Sequence, residues 1–134
     1  MSNSATADVS APTLEDWVAF HWPRCRYWLL PALDRMGGTH DEADIVAALL
    51  AQQMQLWPGK RCALVTEIVS YPRLKSLNVV LGGGDLTELV GLRPALRQFG
   101  RAVGCSRLEI AGRPGWQKAF PTLKRRAVLL TEEI

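Results

Sequence analysis

The run Leu77-Asn78-Val79-Val80-Leu81-Gly82-Gly83-Gly84-Asp85 constrains this 134-residue chain more than any other stretch. An apolar strand empties into three consecutive glycines, just ahead of a helical pattern that ends at Gly104. Strand, pliant turn and helix N-terminus in series can hold a phosphate or a pantetheine amide with main-chain groups. The same glycines also make an ordinary loop, because glycine reaches backbone conformations closed to other residues. At the level of sequence both readings stay open.

The flanking segments define what surrounds that run. Cys62 to Val69 is β-branched and apolar on both faces except at Thr66 and Glu67, which predicts a central strand covered by helices. Ser70-Tyr71-Pro72-Arg73 turns the chain and Lys75 to Leu81 returns beside it, giving a hairpin. Downstream, Leu92, Leu96, Phe99 and Val103 form one apolar helical stripe, with Pro94 tolerated in its first turn. Arg107 to Ile110 reads as a strand, Gly112-Arg113-Pro114-Gly115 as a loop, Trp116 to Phe120 as a helical turn and Arg126 to Thr131 as a last strand. The right-handed crossover rule predicts the strand through Leu108 parallel beside the strand through Val79, itself antiparallel to the strand through Val65.

Before the hairpin, Leu14 to Leu33 has helical spacing, but Pro23 and Pro31 predict two short pieces. Thr39-His40-Asp41-Glu42 has the form of a capping box. A helix from Asp41 to about Met54 follows, with Ile45, Ala48, Leu49 and Gln52 on its core face. Leu56-Trp57 is a short extended piece before the turn Pro58-Gly59-Lys60. With 48% hydrophobic residues the expectation is one α/β domain from residue 14 to residue 134, behind a polar N-terminal arm over residues 1–13 that carries no secretory signal. Cys25, Cys62 and Cys105 are odd in number and widely spaced, so they read as free thiols of a reducing compartment. No segment suits a bilayer, and a net charge of +3 falls short of a nucleic-acid-binding signature.

The element order resembles the GNAT-type N-acyltransferase superfamily over nearly the whole chain after the arm: two helices, a short strand, a hairpin whose second strand runs into the glycines, a helix, a strand, a short helix and a last strand. Gly104-Cys105-Ser106-Arg107-Leu108-Glu109-Ile110 resembles the family's helix end and fifth strand. Val65-Thr66-Glu67-Ile68, Gly82-Gly83-Gly84-Asp85-Leu86 and Gly112-Arg113-Pro114-Gly115-Trp116 are similar to small GNAT-like proteins of tailed bacteriophages. The resemblance implies a mixed, mostly antiparallel central sheet with flanking helices around an acyl-CoA cleft. It also implies a virion or host-cytoplasm setting.

The departures from the family pattern bear on chemistry. The pyrophosphate-binding Arg/Gln-x-x-Gly-x-Gly/Ala string of active members is absent. Gly82, Gly83 and Gly84 stand in its place, followed by Asp85, a carboxylate where a polyanion would sit. A cap on the short run Leu86 to Val90 is the other role open to Asp85. The tyrosine that protonates the leaving thiolate in many members has no counterpart in Gly115-Trp116-Gln117-Lys118-Ala119-Phe120. Glu67 and Glu109 are the only carboxylates inside expected strands and are the candidate bases, or else strand-edge partners of an arginine such as Arg107 or Arg113. His21 and Cys25 are interrupted by Pro23 and no metal set is evident.

Arg93, Arg97 and Arg101 form a basic stripe, with Lys118, Lys124, Arg125 and Arg126 as a second group; the stripe suits phosphates, an acidic protein surface or plain solvent. Trp17, Trp22 and Trp28, three of five tryptophans, cluster where one helix face cannot bury them all, and mark a partner surface or a broad aromatic core.

Two functions follow. The first is a GNAT-like virion or assembly component with a degenerate acyl-CoA site, its partners being other virion proteins or further copies of itself, met through Trp17, Trp22, Trp28, Arg97 and Arg101. The second is an active acetyl-CoA-dependent N-acetyltransferase, with Gly82, Gly83, Gly84, Asp85 and Arg93 toward the cofactor and Glu67 or Glu109 as base. Nucleic acid is the least supported partner.

Overall fold

The computed structural model describes residues 11–112 and 115–134; most of the expected arm and the pair 113–114 lie outside the described residues. The elements run α1 (Leu14–Asp34), α2 (Glu42–Leu50), β1 (Met54–Pro58), β2 (Cys62–Ser70), β3 (Lys75–Gly84), α3 (Leu86–Gly91), α4 (Arg93–Ala102), β4 (Arg107–Ile110) and α5 (Trp116–Ala119). They form a mixed α/β domain around a four-stranded sheet of order β1-β2-β3-β4.

α1 corrects the expectation of two short pieces, for it is one helix of 21 residues through both prolines. Thr13 caps it in a capping box with Asp16, the Asp16 amide donating to Thr13 Oγ1 at 3.1 Å. Val18, Trp22, Cys25, Leu29 and Leu33 form its buried stripe. Pro23 and Pro31 both lie on the exposed side. Each ring deprives the carbonyl four residues earlier, Ala19 and Tyr27, of its helical donor, and water can replace that donor only on a solvent face.

The second capping box also differs from expectation. Asp41, not Thr39, caps α2, accepting from the Asp44 amide at 2.9 Å while Asp44 accepts from the Asp41 amide at 3.0 Å. Glu42 is engaged elsewhere, with Arg26 and Trp22 of α1. α2 ends at Leu50, short of Met54, in a turn that puts Gln52 at φ 60°. Ile45 and Leu49 are buried, Ala48 is partly so, and Gln52 is exposed.

The sheet follows the predicted pairing. β2 and β3 are antiparallel, with Val65 opposite Leu81 and Thr66 opposite Val79, so Val80 is an extra residue that bulges from the ladder. β3 and β4 are parallel, Leu77 opposite Leu108 and Val79 opposite Ile110. The intervening helices lie on one face of the sheet, as a βαβ crossover requires.

Alternation along the strands divides the core in two. Ala63, Val65 and Leu81 meet α1 and α2, whereas Cys62, Leu64, Leu77 and Val79 meet Leu89 of α3 and Leu96 of α4. The expected last strand, Arg126 to Thr131, does not form. No ladder partner stands beside it among the described residues, and Val128, Leu129 and Leu130 are exposed.

Candidate functional site

The glycine triplet is strand, not loop. Gly82, Gly83 and Gly84 pair with Leu64, Ala63 and Cys62 of β2. Their missing side chains make room: a Cβ on Gly83 would run into the main-chain carbonyl of Trp28 in α1, and one on Gly82 would lie 2.6 Å from Leu64 Cδ2 and 2.8 Å from the Trp116 indole. Gly82 and Gly83 are therefore sites of close packing against opposite layers. Asp85 performs the capping role, accepting from the Glu88 amide at 2.9 Å while its own amide donates to the Arg61 carbonyl at 2.8 Å. Pairing with β2 takes up the main chain of the glycines on one edge only, and Asp85 puts its carboxylate and its amide into a cap and a turn.

Beyond Val79, β3 has no β4 residue beside it. The Trp116 indole covers the gap from the α4 side of the sheet. Its ring packs on Gly82 and on Gly112, where an added Cβ would stand 2.8 Å away, and it stacks on buried Phe120 with centroids 5.9 Å apart. Trp116 stands in the segment where the family resemblance led one to expect a tyrosine.

The register does bring the two candidate bases together. Glu67 of β2 and Glu109 of β4 both stand opposite Asn78 of β3, in one row across the sheet. Asn78 Oδ1 accepts from the Ser76 hydroxyl at 2.7 Å, and the Glu109 carboxylate accepts from Arg107 Nε at 3.1 Å. Asn78 and Gly82 are four residues apart along one strand, about 13 Å. The row lies on the α1 side of the sheet whereas Gly82 faces Leu64 and Trp116, so base and cradle do not share a site.

All three thiols are held toward their protonated form. Burial, and then the bond from its thiol to Glu88 Oε1 at 3.1 Å, pushes Cys62 up to about 12. Burial raises Cys25 and Cys105 as well. His21 is packed between the rings of Trp17 and Phe20.

The tryptophan cluster divides. Trp22 is only 8% exposed, and its indole N–H donates to Glu42 Oε2 at 2.7 Å, which removes it from the partner surface. Trp28 is half-buried, with the Arg24 guanidinium 5.8 Å above its ring. The same guanidinium donates to the Gly59 carbonyl, tying α1 to the β1–β2 turn. Trp17 stays at the surface beside Leu14.

Sequence reasoning missed Phe20 and Tyr27, which are 78% and 77% exposed. They are seven residues apart on the side of α1 opposite the Val18–Trp22–Cys25–Leu29 stripe. Had α1 been read as continuous, that spacing would have revealed them. Arg93, Arg97 and Arg101 lie instead on the opposite layer, where with Arg107 they line an open cavity between α4 and β4.

No protein-family profile and no curated protein matches the chain. Among solved structures it is similar to that of a mutant of TTHA1254 from Thermus thermophilus, with 15% identity and a TM-score of 0.54 over 78% of this chain and 89% of that one. That likeness establishes a shared α/β fold. Among the described residues no helix is long and apolar enough to cross a membrane.

Proposed function

We propose that this chain is a non-catalytic, GNAT-like binding component of a protein assembly, and that the outer face of α1 is one of its contact surfaces. The virion of a tailed phage is the setting implied by the sequence resemblance. The observation that carries the reading is Trp116, seated on Gly82 and Gly112 so that it covers, on the α4 side, the opening beside β3 through which the family resemblance would run an acyl-CoA arm. The exposed rings of Phe20 and Tyr27 support the second part, since large aromatics held in water at heptad spacing are characteristic of interface cores.

Titration calorimetry of the full chain with acetyl-CoA at millimolar concentration, alongside light scattering, tests it. The reading expects no saturable acetyl-CoA isotherm, and association of the wild-type chain with itself or with a co-expressed partner that is lost in F20S/Y27S while its circular dichroism is kept. A saturable isotherm with turnover of an amine substrate overturns the reading in favour of an N-acetyltransferase. Association unaffected by F20S/Y27S overturns the assignment of α1.

A further inference from the structure

Arg93, Arg97 and Arg101 stand on successive turns of α4, and with Arg107 at the head of β4 they line one open cavity of about 330 Å³ floored by Leu96 and Leu108. The three arginines of α4 make no ion pair among the described residues. Arg107 is paired with Glu109, and since Leu108 and Ile110 face the α4 side, alternation turns both Arg107 and Glu109 to the other face of the strand, where the Arg107 guanidinium also lies 6.0 Å from the Tyr71 ring centroid, leaving the main chain of Arg107 in the cavity wall. The three arginines of α4 along one wall of this half-enclosed space repel one another and create a positive potential that an anionic occupant relieves.

The cavity borders the free edge of the sheet. β4 is the last strand in the order β1-β2-β3-β4, and the side of Arg107–Ile110 away from β3 has no partner among the described residues. We infer that this edge is the docking site of an acidic, extended polypeptide that adds as a strand to β4 and directs its carboxylates at the arginine row. The inference rests on the interaction role proposed above and names the partner class, on a layer of the molecule separate from the outer face of α1.

Geometry supports an extended partner. Arginines four residues apart on a helix recur about every 6 Å. Alternate residues of a strand recur about every 6.6–6.8 Å. A strand on β4 with an acidic residue at every second position thus presents its carboxylates nearly in step with Arg93, Arg97 and Arg101. Strand addition satisfies the edge main chain and leaves selectivity to alternate side chains. The arginine stems cover the leucine floor while their heads pair.

Two other occupants fit less well. The cavity lining contains no aromatic ring on which a nucleobase could stack. The chain's own C-terminal segment begins in the lining with Thr122 and Leu123 but continues as Lys124-Arg125-Arg126, adding charge of the same sign.

Fluorescence anisotropy with the full chain and a labelled octapeptide of alternating glutamate and valine tests the inference. It expects binding at least about tenfold tighter than that of the alternating lysine–valine octapeptide, weakened by added salt. R97E/R101E, and R97Q/R101Q should the reversal disturb folding, should lower the affinity at least about tenfold with circular dichroism unchanged. N-methylation of every second peptide amide should abolish binding in the register whose amides face β4 and spare it in the other. F20S/Y27S should leave it untouched, which separates failure here from failure at α1. Equal affinity for the lysine peptide, or binding retained by the arginine variants, overturns the site. Unimpaired binding of both N-methylated peptides overturns the strand mode. Binding of oligothymidylate or inorganic triphosphate with none of the acidic peptide overturns the partner class.

Discussion

The Glu88 carboxylate in α3 accepts the Cys62 thiol at 3.1 Å and, through the same oxygen, the Arg61 amide at 2.9 Å. One side chain thereby fastens the first helix after β3 to the turn that opens β2. The bond from the Arg61 amide, more than any other contact, holds the Glu88 carboxyl below its usual range. The contact should therefore stabilise the fold above the ordinary carboxylate range and weaken as pH falls toward the lower folded-state value. Cys62 acts at the other end of the scale: its thiol is pushed from 9.0 to about 12, so stability should decline as pH rises through that interval and the unfolded chain ionises first. Glu88→Gln should reduce the acid-side loss and, because burial is the first cause of the Cys62 shift and Glu88 the next, shrink the alkaline loss without removing it, as read by urea melts across pH.

Glu42 should dominate acid unfolding at the α1–α2 contact. Arg26 bonds it at 2.7 and 2.8 Å and the Trp22 indole at 2.7 Å, and in that order these hold its carboxyl down to about 2. The stabilisation is complete above the ordinary carboxylate value of 4.5 and is lost as pH falls from there toward about 2. Glu42→Gln keeps an acceptor for Trp22 and, with Arg26 well exposed, should cost only about 1 kcal/mol at neutral pH. In Arg26→Ala the acid transition of Glu42, followed by NMR titration, should move upward.

Replacing Trp22 by alanine should cost about 3 kcal/mol or more, the scale of emptying a large buried ring. A thermal melt would show it. If Trp22 were a surface anchor, as its neighbours in sequence suggest, the melt would barely change.

Two glycine-to-alanine changes should have opposite signs. At Gly83 the new Cβ meets the Trp28 carbonyl, a main-chain atom that cannot step aside, and the loss should be about 2 kcal/mol or more. At Gly91, the last residue of α3, nothing lies within 4 Å, and alanine should stabilise by about 0.5–1 kcal/mol. Denaturant midpoints of the two variants, run side by side, check both.

Thiol reagents should label Cys105 ahead of the other cysteines in the folded protein, since Cys25 and Cys62 are buried and Cys105 is only half-buried. Rapid labelling of all three would contradict the packing around β2.

The hairpin and the parallel pairing were readable because alternation, turn residues and a crossover of helical length each act locally and agree. The glycine triplet was misread because its cause is distant: the space it leaves is taken by Trp28 and Trp116, far away in sequence. The prolines of α1 were misread because their cost depends on which side of the helix they fall, and that is settled only by the five residues the helix buries. Glu67 and Glu109 were individually visible, but nothing before the register could place both opposite Asn78. The arginines of α4 could be aligned from spacing alone, whereas the cavity they line beside β4 exists only through the fold.

The carbonyls of Ala19 and Tyr27, freed by Pro23 and Pro31, give the outer face of α1 a polarity that its aromatic rings conceal. A purely greasy surface laid over Phe20 and Tyr27 would strip water from two acceptors and offer nothing in return, at about 1–3 kcal/mol each. Only a partner bringing N–H or O–H groups in register with those carbonyls, or trapping water against them, can cover the face without that loss. The two prolines thus turn a sticky stripe into a discriminating one.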